Sequence, residues 1–197
     1  GLGETTRILY FHVPCAWIAT LAFFVSAFYS LRYLQKQRLE LDVRASVAAE
    51  LGLLFAFLAT VTGSIWAKKI WGAYWNWDPR ETSIFILLMI YAAYFALRAA
   101  VEDGEQRARL AAVYSLIAAV TVPFFVFVVP RIYDSLHPDP LVNREAKIHM
   151  DPRMLTVFLS SLAGFTGLFF WIFHLRSTLK MIWEQKMQGV ELTGDRT

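Results

Sequence analysis

The sequence predicts an all-α bundle that crosses a lipid bilayer five times, and three observations predict it. First, 57% of the 197 residues are hydrophobic and only 18% are charged, with a mean hydropathy of +0.44, too apolar for a water-soluble domain of this length. Second, the apolar residues fall into five charge-free runs, 13–31, 51–67, 82–97, 110–130 and 154–175. Third, the charges collect between those runs. A bilayer core takes about 20 apolar residues, or about 17 when flanking side chains snorkel. The second run reaches that by extending back past Glu50, and the third by extending through Arg98 to Val101. Lipid admits only helices and closed barrels, and continuous runs of this length are helices. The spans are expected at about 13–33, 47–67, 82–101, 110–130 and 153–176, within a single domain over 1–197. No run has the short core and small-residue cleavage site of a signal peptide, so all five are expected to be retained. There is no nucleotide-phosphate loop, and nothing predicts a nucleic-acid partner.

The first span opens with Phe11-His12-Val13-Pro14. Proline costs nothing in the first turn of a helix, so Pro14 reads as the outer mouth of that span. His12 then sits near the surface, either as a ligand or as an interfacial histidine bonded to headgroups or backbone. Cys15, the only cysteine, makes no internal disulfide and reads as small-residue packing. In the second and fifth spans, Gly52, Gly63, Gly164 and Gly167 suit close helix approach in lipid and read as scaffold.

Between the second and third spans lies Trp71-Gly72-Ala73-Tyr74-Trp75-Asn76-Trp77-Asp78-Pro79-Arg80-Glu81-Thr82-Ser83, with three of the seven tryptophans. Asp78-Pro79-Arg80-Glu81 has the form of a capping box, which assigns Asp78 mainly to starting the third span. Upstream, Trp71, Tyr74, Trp75 and Asp78 follow i, i+3, i+4, i+7 spacing and share one side if the segment is a short surface helix. Such an aromatic side can hold a planar macrocycle or anchor the chain in the headgroups.

Pro123 is expected to kink the fourth span. The segment 131–153 then carries His137 and His149, and Asp151-Pro152 reads as the cap of the fifth span, which places His149 close to the headgroups. His174 lies near the other end of that span. Alternation puts 1–12, 67–82 and 131–153 on one face of the membrane and 32–46, 98–109 and 176–197 on the other. The second face holds eleven of the 19 basic residues, so positive-inside counting makes it cytoplasmic, with the C-terminus, and turns the Trp-rich segment outward. On that outer face, Arg7, Lys68, Lys69, Arg80 and Arg131 could receive propionates or phosphates, or simply snorkel to lipid. Two neutral imidazoles are what a haem iron with two axial nitrogen ligands requires, and His12 and His137 stand at separate span ends on this face.

Trp71-Gly72-x-x-Trp75-x-Trp77-Asp78-x-Arg80-x-Thr82-Ser83, preceded by Val61-Thr62-Gly63-Ser64-x-Trp66, resembles the tryptophan-rich WWD domain of haem-handling proteins in cytochrome c biogenesis. Together with Tyr10-Phe11-His12-Val13-Pro14 and Leu136-His137, the chain is similar to the haem exporter protein C (CcmC) family over nearly its whole length. The resemblance implies an integral cytoplasmic (inner) membrane protein that binds haem b and hands it to the haem chaperone CcmE. It implies an ABC transporter of CcmA and CcmB, and CcmD, as further partners, and no catalytic residue, with any ATPase activity in a partner. His12 and His137 fall where the family places its axial ligands. Trp71, Tyr74, Trp75 and Trp77 are then the platform, Asp78 closes it, and Arg80 and Arg131 are the basic residues beside it. Family members usually have six spans, so an N-terminal helix is expected to be trimmed or absent here. Two other classes stay open. A cytochrome c synthase of the same superfamily would carry a further buried histidine pair, and a bis-histidine cytochrome b would place histidines at mid-span; neither feature is present in these spans.

Overall fold

The computed structural model describes residues 3–137 and 150–194. A 3-10 turn, Gly3–Ile8, leads into α1 (Leu9–Lys36); α2 (Leu39–Trp71), α3 (Pro79–Ala100) and α4 (Gly104–Pro123) follow. A π-helical turn, Phe124–Val128, and the short α5 (Val129–Ile132) continue α4, and α6 (Pro152–Gly194) closes the bundle. There is no strand among the described residues, and five helices are long and apolar enough to cross a membrane. Helix ends follow local chemistry. Gln37, left-handed at φ 48°, ends α1 with its N–H on the Tyr33 carbonyl. Asp103 caps α4 through the Gln106 N–H at 2.7 Å, and Asp151 caps α6 through the Arg153 N–H at 2.9 Å.

Pro14 does not mark the start of α1. The helix begins at Leu9, so the proline sits inside it and is buried. A helix-interior proline leaves the carbonyl four residues back without a donor. Here that carbonyl belongs to Tyr10, and the Ser161 hydroxyl of α6 donates to it. The defect is thereby turned into an interhelical contact. Pro123 likewise cannot serve the Ala119 carbonyl, and the expected kink takes the form of the π-helical turn that follows, in which the Val129 N–H donates to Phe124 O.

α1 and α2 pair closely because α2 presents Val47, Ala48, Ala49, Gly52, Ala56 and Ala59, all buried. Small side chains let helices approach in lipid, where apolar burial supplies little drive. Gly52 is required for this: a Cβ there would lie 2.5 Å from the Phe23 ring of α1. Phe23 in turn stacks on Tyr91 of α3 with ring centres 3.6 Å apart. Gly164 and Gly167 differ, since nothing lies within 4 Å of a Cβ at either; they stand on an open face of α6 and bring no helix close.

At one end of the bundle Arg98 of α3 forms a bidentate ion pair with Asp42 of α2, at 2.7 and 2.8 Å. Beside it Arg176 of α6 pairs with Glu50, and Lys180 donates to Ser46 at 2.9 Å. The Trp-rich segment lies at the other end.

Candidate functional site

α2 stops at Trp71 because Gly72 turns left-handed, φ 83°, and its N–H closes on the Lys68 carbonyl. A glycine adopts that conformation without steric cost. Trp77 is also at positive φ, 57°, and residues 72–78 are irregular. The short surface helix allowed by the spacing of Trp71, Tyr74, Trp75 and Asp78 therefore does not form; Trp71 belongs to α2 and the rest to a loop. The capping box does form. Asp78 Oδ1 accepts the Arg80 N–H at 2.9 Å, and Glu81 accepts the N–H groups of Asp78 at 3.3 Å and Asn76 at 2.7 Å.

Capping is only part of what Asp78 does. Its carboxylate also accepts the Ser135 hydroxyl on both oxygens at 3.0 Å, the Leu136 N–H at 2.7 Å and His137 Nδ1 at 3.1 Å. One buried carboxylate thus starts α3 and holds the segment after α5. Burial alone would raise its pKa. The N–H groups of Arg80 and Leu136, the His137 ring and the Ser135 hydroxyl outweigh burial and hold the carboxyl below its ordinary range. His137 is pushed down to about 4, chiefly by burial; Asp78 opposes this, while Arg80 and His12 add to it. The ring is neutral at pH 7. Its Nδ1 faces an ionised carboxylate, which only accepts, so the proton is on Nδ1 and the lone pair on Nε2.

His12 reaches the same state by a different route. Its Nδ1 lies 2.9 Å from the Ala59 carbonyl and 3.2 Å from Thr62 Oγ1. Because the carbonyl only accepts, Nδ1 carries the proton and Nε2 again keeps its lone pair. Gly63 makes room for the ring: a Cβ there would stand 2.8 Å from His12 Cε1. Its absent side chain thus serves the histidine rather than general helix packing.

Both histidines line one cavity of about 260 Å³. Its upper wall includes Trp66, Trp75 and Arg80, and apolar residues of α1 and α3 extend it down to Phe23 and Leu87. From His12 to Phe23 is 11 residues of α1, or about 16 Å of helix. The cavity is therefore a slot running into the bilayer. His137 sits against two indoles, with ring centres 4.9 Å from Trp71 and 6.2 Å from Trp66.

The candidate residues divide accordingly. His12, His137, Trp75 and Arg80 line the slot, while Trp71 and Asp78 set the His137 ring. Trp77 packs edge-on against Trp75 at 5.8 Å and is 70% exposed, and Tyr74 is exposed beside Lys68. Arg131 donates to the Phe127 carbonyl at 2.6 Å and lies outside the slot lining. His149 lies outside the described residues, and His174 is exposed on α6. Sequence reasoning passed over Trp66, Thr62 and Ser135 as site residues. Trp66 and Thr62 stand within the Val61–Trp66 motif, but nothing local marks their contacts or those of Ser135, since the partners of Thr62 and Ser135 are 50 and 57 residues away.

The profile of the heme exporter protein C family matches residues 1–192. The chain is similar to a heme exporter protein C of Bradyrhizobium diazoefficiens, 35% identical over 190 residues, which cover 96% of this chain and 72% of that protein. The protein of the same name in Rhodobacter capsulatus is 30% identical over 175 residues, 89% of this chain and 72% of the relative. For the one in Escherichia coli strain K12 the figures are 34% over 168 residues, 83% of this chain and 65% of the relative.

Proposed function

The chain belongs to the heme exporter protein C family, and from that premise we propose that it holds haem b between His12 and His137 and hands it to the haem chaperone CcmE. It is an integral membrane protein that takes part in haem delivery for cytochrome c maturation. The observation that carries the finer reading is the matched state of the two imidazoles. Each has its Nδ1 proton committed to a protein acceptor, each keeps an Nε2 lone pair, and both line one slot. A metal-binding histidine characteristically donates its other N–H to a carboxylate or carbonyl in this way. The residues present therefore fit a bis-imidazole haem.

Haem would supply an iron with two axial positions and a flat apolar ring. The slot supports the ring with Trp66 and Trp75, and Arg80 on its wall suits a propionate. The two histidines differ in how they are anchored. His12 is built into α1, whereas His137 follows α5 on irregular chain and is held chiefly by Asp78. His137 is accordingly the ligand that yields when haem passes to CcmE. We read the outer face as the site of handover, on the positive-inside count, with the C-terminus cytoplasmic. CcmA, CcmB and CcmD are the partners of this reading, with ATP hydrolysis in the transporter and none in this binding subunit.

The test is the visible spectrum of the purified protein. His12→Ala and His137→Ala should each lose or shift the Soret band of the parent, and added CcmE should draw haem from the parent. An unchanged Soret band in both single variants and in the double variant would overturn the axial assignment.

A further inference from the structure

We propose that the end of the bundle opposite the aromatic site holds the phosphate of an anionic membrane lipid. A cleft of about 320 Å³ lies there between the start of α4 and the C-terminal part of α6, lined by Arg98, Arg107, Lys180, Trp183, Glu184 and Met187. Its depth follows from α2. Ser46, which contacts Lys180, is 20 residues from Trp66 on the slot, or about 30 Å of helix, the thickness of a bilayer's hydrocarbon core. The cleft is therefore at the opposite headgroup layer.

Lys180 does not behave as a snorkelling lysine. Such a side chain extends toward water, but Lys180 turns inward and donates at 2.9 Å to the hydroxyl of fully buried Ser46, whose own proton goes to the Val43 carbonyl. Glu184, one turn further along α6, is not within ion-pair distance of it. Arg107 has no carboxylate within that distance among the described residues. Arg98 is already committed to Asp42 through both carboxylate oxygens. Arg98 and Asp42 cancel, as do Arg176 and Glu50 beside them, so Lys180 and Arg107 against Glu184 leave one positive charge on the cleft lining. One phosphodiester neutralises it, whereas a zwitterionic headgroup brings its own cation and gains little. Trp183, 59% exposed at the rim, supplies the amphipathic ring that suits a headgroup boundary. Basic pockets between helices at this depth are recognised sites for acidic lipids.

The test is native mass spectrometry of the full chain in detergent, titrated with dioleoylphosphatidylglycerol, dioleoylphosphatidylcholine or inorganic phosphate. The parent should keep one phosphatidylglycerol about thirtyfold more tightly than phosphatidylcholine, the worth of two basic contacts to an anionic headgroup. Lys180→Gln with Arg107→Gln should abolish that preference, and Arg107→Gln alone should reduce it. Arg32→Gln with Lys36→Gln, basic positions at the end of α1 outside the cleft, should leave it intact. Thermal unfolding of each variant shows whether the fold is retained. Equal retention of both lipids by the parent, or equal loss in the control pair, would overturn the proposal. Displacement of the lipid by millimolar phosphate would assign the cleft to free phosphate and overturn it as well.

Discussion

Gly63→Ala separates haem binding from stability. The added Cβ would stand 2.8 Å from His12 Cε1 and 3.3 Å from Nδ1, where ordinary contact begins at 3.4 Å. The ring must withdraw from α2 by about 0.6 Å, the difference between those contact distances. It cannot do so and keep the 2.9 Å bond to the Ala59 carbonyl, which ties it to the same helix. Losing that bond costs about 1 kcal/mol. Replacing glycine by alanine inside a helix returns up to about 1 kcal/mol through propensity, so overall stability should barely change. Haem affinity should still fall about tenfold, the lower end of what disturbing the second contact of a metal-binding histidine does. The assay is a haemin titration of the purified protein followed at the Soret band, with thermal unfolding in the same detergent. Gly164→Ala, where nothing lies within 4 Å of the new Cβ, is the control and should bind as the parent does. Parental affinity and spectrum in Gly63→Ala would refute the assignment of Gly63 to the His12 ring.

Asp78→Asn should keep much of the cap, since asparagine caps well, but its amide nitrogen meets donors from Ser135, Leu136 and His137. Haem affinity should fall about 10- to 100-fold, measured by the same titration. For pH, the unfolded chain binds a proton at His137 near 6.5 while the folded chain resists until about 4. The stability contributed by neutral His137 is thus present above pH 6.5 and lost between 6.5 and 4, up to about 3 kcal/mol. Asp78, held low, acts in the same direction, its contribution disappearing as pH falls through its folded value. Acid titration of the melting temperature should show this fall, and His137→Ala should flatten it. Arg98→Met leaves Asp42 buried and unpaired and should cost about 3–5 kcal/mol, most of it recovered by adding Asp42→Leu; thermal unfolding of the three variants checks it. Ser161→Ala strands the Tyr10 carbonyl and should cost about 1–3 kcal/mol, whereas in a Pro14→Ala background, which restores the helical donor, the same change should cost far less.

The five helices long and apolar enough to cross a membrane could be read from the sequence because hydropathy runs and charge placement are properties of single segments. The capping box at Asp78 was legible for the same reason, as all its partners lie within three residues. The additional bonds of Asp78 to Ser135, Leu136 and His137 depend on the path of the chain through α3 and α4, and no local pattern carries that path. Pro14 misled because its usual place is a helix start; only Ser161, about 150 residues on, explains how the helix tolerates it. The spacing of Trp71, Tyr74, Trp75 and Asp78 fitted a helix, but Gly72 ended α2 first. Gly63 and Gly164 look alike in sequence, yet one faces an imidazole and the other open space.

The π-helical turn at Phe124–Val128 fixes an angular phase. Each residue of an α-helix advances the chain by about 100°, and a π turn absorbs one residue more than an α turn would. With Pro123 unable to bond back to Ala119, that residue is taken up here. Because the turn absorbs the extra residue, deleting one residue within it would restore regular winding and leave Ser135 and His137 at nearly their present bearing, whereas regular winding with the residue kept would swing them through about 100° away from Asp78. The turn thus takes up one residue without passing its rotation on, and the bearing of the second imidazole on Asp78 is kept.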